Sequence, residues 1–330
     1  MKKFENSYKD IIKVENLLRA WEEFLRGKKN RNDVLIFQTK LMDNIYELHE
    51  ELTTKKYVHG KYQSFNISDP KPRNINKANV KDRLLHHLLY QELYPYFDKQ
   101  FIHDSYSCRL QKGTHKAVDQ FRIFARKVSQ NNTKTCWILK CDIKKFFANI
   151  DHVILKKILV KYINDSDILW LLGQVVDSFH SGREGVGLPL GNLTSQLLVN
   201  IYMNEFDKFA KHALKLNHYV RYADDFVIFH QDRDYLEAII KPISQFLEGE
   251  LRLQLHPQKV FIKTLSSGVD FLGWVHFSHY RVLRTTTKRR MLKRIKDCPT
   301  DETIASYTGL LRHGNTHLIL QKIKKLSREV

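Results

Sequence analysis

The chain has 330 residues, 42% hydrophobic and 12% aromatic, enough to bury a sizeable core, so a disordered chain is excluded. Lysine and arginine number 55 against 36 acidic residues, a net charge of +19, which points to a polyanionic partner such as nucleic acid, with an anionic membrane surface as the competing partner. No apolar run approaches the roughly 20 residues that span a bilayer, and no apolar stretch follows the basic start, so a soluble, cytoplasmic protein with no membrane partner is expected.

From Asn6 to about Lys56, apolar residues recur at helical spacing (Ile11, Val14, Leu17, Leu18, Trp21, Phe24 and Leu25, then Leu35 to Leu52). This predicts two helices separated by Gly27 to Asp33. The polar segment from Ser64 to Val80 contains Pro70 and Pro72 and leads into a helix from Asp82 to Phe97. Arg109 and Lys112 lie in a polar loop before a helix start near Gly113. Cys136 to Asp142 reads as a buried strand ending on an acid. A helical pattern follows from Thr194 to Leu214, and His218 to Phe229 reads as two strands joined at Asp224-Asp225. Asp234 to Leu251 is another helix, with Pro242 near a kink, and the tail from Arg284 onward is helical and strongly basic. Cys108, Cys136, Cys141 and Cys298 lack the paired short spacing of zinc sites and read as reduced and structural.

Asp142 at a strand end and Asp224-Asp225 at a hairpin are carboxylates that can converge. Two-metal phosphoryl transfer needs this, because two divalent ions must share oxygen ligands while they stabilise the attacking hydroxyl and the leaving pyrophosphate. An Asp pair in a turn is weak evidence alone, since turns favour Asp for conformational reasons. Lys71 and Arg73 are cations in a Pro-containing extended segment suited to gripping a triphosphate, or else solvated loop charges. Lys259 is either a proton donor or a surface lysine. Phe271-Leu272-Gly273-Trp274 suits a tight strand turn, although core packing explains the same residues.

The order of these motifs changes the odds. Lys71-Pro72-Arg73, Lys81-Asp82-Arg83, Asp104 to Arg109, Lys140 to Asp151, Gly187 to Gln196, Tyr222-Ala223-Asp224-Asp225, Leu255 to Lys259 and Phe271 to Trp274 follow one another at plausible spacings. Together, over roughly 69–274, they resemble the reverse transcriptases of bacterial retroelements. The resemblance implies an α+β right-hand polymerase: N-terminal helices and fingers over 1–130, a palm of small antiparallel sheet with helices over 131–279, interrupted by fingers elements, and a basic helical thumb over 280–330. It implies an RNA-directed DNA polymerase using two Mg2+ ions, with Mn2+ as a substitute. Asp142, Asp224, Asp225 and Ile143 would hold metal, and Lys259 would serve as general acid. Lys71, Arg73, Phe147, Leu190, Gly191 and Gln196 would meet the nucleotide, with the Phe147 ring, five residues after Asp142, excluding a 2′-hydroxyl. Arg83, Arg109, Phe271, Leu272, Gly273 and Trp274 would meet template and primer. The implied partners are template RNA, the cDNA primer–template duplex and deoxynucleoside triphosphates.

The loop departs from the commonest family pattern: Leu190 stands where a Gln precedes the Gly, and Gln196 where a Pro closes the loop. With Phe101 to Tyr106 and Lys112 to His115, this form resembles the enzymes of diversity-generating retroelements. Those copy a template repeat RNA into error-prone cDNA that diversifies a target gene, and work with a small basic accessory protein. A retron, group II intron or phage-defence enzyme is the nearer alternative. A non-catalytic RNA-binding splicing helper is the more distant one, disfavoured by three acids that repel one another without metal.

Overall fold

The computed structural model describes residues 2–68 and 72–326, with side chains described to residue 323. Helix α1 (Tyr8–Ile11) starts at Ser7, whose side chain accepts from the Asp10 N–H, and ends where Asn16 Nδ2 donates to the Asp10 carbonyl at 2.8 Å. Helix α2 (Val14–Leu25) buries Leu17, Ala20, Trp21 and Phe24, the stripe that its spacing predicts. Both expected helices are thus divided: the first into α1 and α2, and the second into α3 (Asn32–Thr39) and α4 (Leu41–Thr53), because the backbone turns out of helix at Lys40 and Asn44 Nδ2 donates to the Phe37 carbonyl at 2.8 Å. The polar segment that follows is a hairpin of β1 (Gln63–Ile67) and β2 (Arg73–Lys77), then α5 (Val80–Asp98), capped by Asn79.

Next come α6 (Thr114–Val128), β3 (Trp137–Asp142), α7 (His152–Tyr162) and α8 (Ser166–Asp177). The side chains of Asp151 and Asp165 cap the last two. Helix α9 (Leu193–Lys208) continues as a π-helical turn, Phe209–Ala213. Strands β4 (Tyr219–Tyr222) and β5 (Asp225–His230) precede α10 (Arg233–Leu251), which carries Pro242 inside it. The chain closes with β6 (Phe261–Thr264), β7 (Val269–Phe271), β8 (Trp274–His276), β9 (Arg281–Leu283), α11 (Thr285–Asp297), α12 (Asp301–Leu311) and α13 (His317–Leu326).

These elements form two compact units, each made of three chain stretches. The first comprises Met1–His103, Ile143–Ala213 and Ser244–Leu255. Its core gathers Leu84, Leu85, Leu88 and Leu89 of α5 with Leu17 and Phe24 of α2 and Leu197, Leu198 and Ile201 of α9, all buried. The second comprises Asp104–Asp142, Leu214–Ile243 and His256–Val330. It holds a four-stranded antiparallel sheet in the order β4-β5-β3-β6, with β3 central. Helix α6 covers one face, where Phe121 and Phe124 pack with Ile138, Val220, Val227 and Phe229. A smaller sheet, β7-β8-β9, carries Trp274 and Leu283 into a second core with Met291, Ile295, Leu311 and Ile323 of the last three helices. Helices packed on small antiparallel sheets make this an α+β protein. Among the described residues no helix is long and apolar enough to cross a membrane.

Candidate active site

Strand β3 is apolar because it is central, with Ile138, Leu139 and Cys141 buried, and it ends on Asp142. The register sets Asp142 directly opposite Asp225, the first residue of β5. Side chains facing each other across an antiparallel pair lie within about 4.5–5.5 Å at Cβ. Tyr222 pairs with Asp225, so Ala223 and Asp224 alone form the turn between β4 and β5. The three acids thus lie at one end of the sheet. Ala223 sits at φ 54°, a left-handed conformation that costs a non-glycine residue on the order of 1 kcal/mol. The turn is held from beneath by Arg221, fully buried, whose guanidinium donates to the Ala223 carbonyl at 3.1 Å and to Ser105 Oγ at 3.0 Å.

Two lysines neutralise the acids. Lys140, two residues before Asp142 and therefore on the same face of β3, is buried with Nζ 3.3 Å from Asp225 Oδ2. Lys259 Nζ donates to Asp142 Oδ1 at 3.0 Å. Its loop is tied to the strand end: the His256 N–H donates to the Asp142 carbonyl at 2.7 Å, and the Lys259 N–H to the His256 carbonyl at 2.9 Å. Burial, reinforced by Asp224 and Asp142 and opposed by Lys140, pushes the Asp225 carboxyl up to about 7. Cys141 is not part of this chemistry, since burial raises its thiol far above the usual range.

The donor set fits a hard divalent cation. All three acids offer oxygen, and Asp225 Oδ1 is buried without a hydrogen-bond partner, the kind of orphan acceptor that an ion satisfies. Among the described residues no group of three or more His, Cys, Asp or Glu side chains is placed to hold a metal ion, and Asp142 and Asp225 each hold an ammonium instead. An incompletely caged site is usual for Mg2+, which takes one or two carboxylates and completes its shell with water and phosphate. Ile143 is buried and bridged to Leu255.

Most of the expected nucleotide residues come together in the first unit. Arg73 opens β2, and the Asn76 N–H of that strand donates to the Leu190 carbonyl at 3.1 Å, while Asn192 Nδ2 returns to the Asn76 carbonyl at 2.9 Å. Gly191, at φ 105°, lies so close to β2 that a Cβ there would meet Ile75 Cγ2 at 2.8 Å. Phe147 stands half-buried in a short 3-10 turn, Phe146–Asn149, and its carbonyl accepts from the Leu188 N–H at 2.8 Å. Phe146 beside it is core. Gln196 is half-buried in the first turn of α9. Lys71 lies outside the described residues.

The residues expected at template and primer are more dispersed. Arg83 is paired with Asp33 and lies 5.1 Å from the Phe24 ring. Arg109 Nη1 donates to the Ser105 carbonyl at 2.9 Å. Phe271 and Trp274 are buried and paired, so what their hairpin presents is the turn of Leu272 (φ 50°) and Gly273 (φ 85°). Such paired positive φ values form the tight two-residue turn that suits twisted strands. Sequence reasoning missed Lys140 and Arg221. Their signal is a cation inside an otherwise apolar strand, unaffordable without a partner acid or carbonyl.

A family model described as reverse transcriptase (RNA-dependent DNA polymerase) matches residues 65–276. Protein YkfC of Escherichia coli (strain K12) is 24% identical over 320 residues, covering 84% of this chain and 81% of its own. The group II intron-encoded protein LtrA of Lactococcus lactis subsp. cremoris is 23% identical, covering 67% of this chain and 46% of its own. A putative COX1/OXI3 intron 2 protein of Saccharomyces cerevisiae is 21% identical, covering 77% and 35%. The chain therefore spans less than half of these last two proteins. Among solved structures, apo telomerase from Candida Tropicalis, truncated from its C-terminal domain, superposes with a TM-score of 0.51 at 15% identity, over 72% of this chain and 59% of that one, a likeness of fold.

Proposed function

The chain belongs to the reverse transcriptase (RNA-dependent DNA polymerase) family, and from that premise we propose that Asp142, Asp224 and Asp225 form its catalytic centre for copying RNA into DNA. The observation that carries this reading is the pairing of Asp142 with Asp225 across β3 and β5, with Asp224 in the adjoining turn. Divalent ions, with Mg2+ as the proposed species, would stabilise the attacking 3′ oxygen and the leaving pyrophosphate when held by these residues and Ile143. Lys140 balances the charge of Asp225. Lys259, an ammonium anchored at the strand end, is suited to deliver a proton to the leaving group. Arg73, with Lys71, would receive the triphosphate, Phe147 the sugar, and Leu190, Gly191 and Gln196 the nascent base pair. Arg83, Arg109 and the Phe271–Trp274 hairpin would meet template and primer. In functional terms we assign fingers to 1–130, palm to 131–279 and thumb to 280–330.

The finer proposal is a diversity-generating enzyme that copies a template repeat RNA with errors, in the cytoplasm and beside a small basic accessory protein. Its support is the loop, where Leu190 brings no hydrogen-bonding side-chain group to the position at which the commonest pattern of the resembled family has Gln. A group II intron-type role is a second reading, favoured by the similarity to LtrA. Primer extension on an RNA template tests the catalytic assignment. Asp224→Asn should abolish synthesis, because a neutral amide weakens metal binding, and leave RNA affinity nearly unchanged, because that affinity rests on Lys and Arg. Undiminished synthesis by the variant would sink the assignment.

A further inference from the structure

Away from the carboxylates, the second unit encloses a cavity of about 370 Å³ between α6, the turn joining β8 to β9, and the turn joining α12 to α13. Its wall contains four arginines and no acidic residue. Arg281 is committed to Asp119, with both terminal nitrogens 3.2 Å from Oδ1. Arg122, Arg126 and Arg312 are exposed and make no ion pair among the described residues. Three uncompensated guanidinium groups around one hollow repel one another unless an anion joins them, and guanidinium geometry matches phosphate oxygens. The hollow also has an aromatic rim. Tyr280, 48% exposed, stacks on Phe277 with centroids 4.8 Å apart.

A second, independent feature is His276, 3% exposed and part of the same wall. One ring nitrogen is bonded to the Phe271 backbone, and burial, with Arg281 nearby, holds the imidazole neutral. Nε2 is thus an acceptor, buried and without a partner. A phosphodiester alone has no donor, so it would meet the arginines but leave that acceptor unsatisfied. A ribonucleotide carries all three complements: oxyanions, a planar base and a 2′-hydroxyl donor. The volume falls within the range of small-ligand sites.

We infer that this cavity binds a nucleotide of single-stranded RNA, with phosphate on Arg122, Arg126 and Arg312, the base against Tyr280, and the 2′-hydroxyl directed to His276. A single strand is required because a duplex keeps its bases stacked internally. The site shares no residue with the polymerase centre, so it would hold RNA while that centre is engaged.

The test is fluorescence anisotropy of a short unstructured oligoribonucleotide, with the whole chain pre-saturated by a primer–template duplex. The RNA should still bind, about tenfold or more weakly to Arg126→Ala/Arg312→Ala, and several-fold more weakly to Tyr280→Ala. The DNA oligomer of the same sequence should bind less tightly than RNA, and His276→Phe should close that gap. Primer extension from the preformed duplex should be unchanged in the arginine double variant. Complete displacement of the RNA by duplex, equal affinity in the double variant, or equal competition by inorganic phosphate or a polyglutamate peptide would each overturn the inference. These binding results stand whether or not the chain extends a primer, so a failure here is distinct from a failure of the polymerase reading.

Discussion

Asp225 is the residue whose position is hardest to sustain. Its carboxyl is pushed from 3.8 up to about 7, by burial first, with Asp224 and Asp142 adding to it and Lys140 opposing. A group whose folded pKa stands above its unfolded value adds stability that is fully present below the unfolded value and is lost as pH rises through the folded one. Metal-free protein should therefore lose on the order of a few kcal/mol between pH 3.8 and about 7 from this group alone, and Asp225→Asn should flatten that slope. Thermal unfolding in a chelator over a pH series checks it; parallel curves for the two proteins would refute it. A different outcome is expected at Phe147. If the Phe147 ring meets the sugar as proposed, Phe147→Ala opens the space that a 2′-hydroxyl needs, so ribonucleotide insertion should rise relative to deoxynucleotide insertion. Competition between the two in single-nucleotide insertion is the measurement, and unchanged selectivity would make the ring a packing element.

At the scale of elements, the loop that carries Leu190 is fastened to β2 through its backbone and the Asn192 amide, so the Leu190 side chain is free to change without unfastening the loop. On the proposed placement of Leu190 at the nascent pair, Leu190→Gln would add an amide there. One hydrogen bond of about 1 kcal/mol is several-fold in selectivity, so misincorporation opposite template adenine should fall by a few-fold. Gln196→Pro, in the first turn of α9, should instead alter activity more than base choice. Sequencing cDNA from one template made by all three proteins decides; equal adenine error rates at equal yield would place infidelity elsewhere. How far sequence alone reached follows the same division. Strand β3 and the β4–β5 hairpin were legible because central strands are apolar runs ending on acids. The β1–β2 hairpin was not, because its residues are largely exposed and polar, with no period-two apolar signal, and side-chain pairs such as Ser64 Oγ to Asn76 Oδ1 help join the strands. The break at Lys40 was also hidden, since it depends on an asparagine side chain reaching back to a carbonyl. Within the site, motif order placed the three acids, whereas the roles of Lys140 and Arg221 depend on what lies across the strand.

For the molecule as a whole, charge is the dominant long-range property. Helix α11 buries Met291 and Ile295 and exposes Lys288, Arg289, Lys293, Arg294 and Lys296, with Asp297 its single acid. Replacing Lys293 and Lys296 with Gln should weaken binding to a primer–template duplex and lower the slope of log affinity against log salt by about 0.9 for each phosphate no longer neutralised. The turnover rate at saturating duplex should hold. A salt titration of both proteins measures it, and an unchanged slope would show that α11 faces solvent. The unit bearing the acids has a further consequence, for synthesis. It is stitched from three separated stretches, and β3 is flanked by β5 and β6, both of which follow it by long intervals of chain. A ribosome that has released β3 must deliver β5 before Asp142 faces a partner strand, and β6 before the other edge of β3 is closed. Until then an apolar strand has two open edges, each a template for mispairing with another nascent chain. Chains arrested before residue 225 should be inert and prone to aggregate, and the last strands to emerge should set when the enzyme first becomes active.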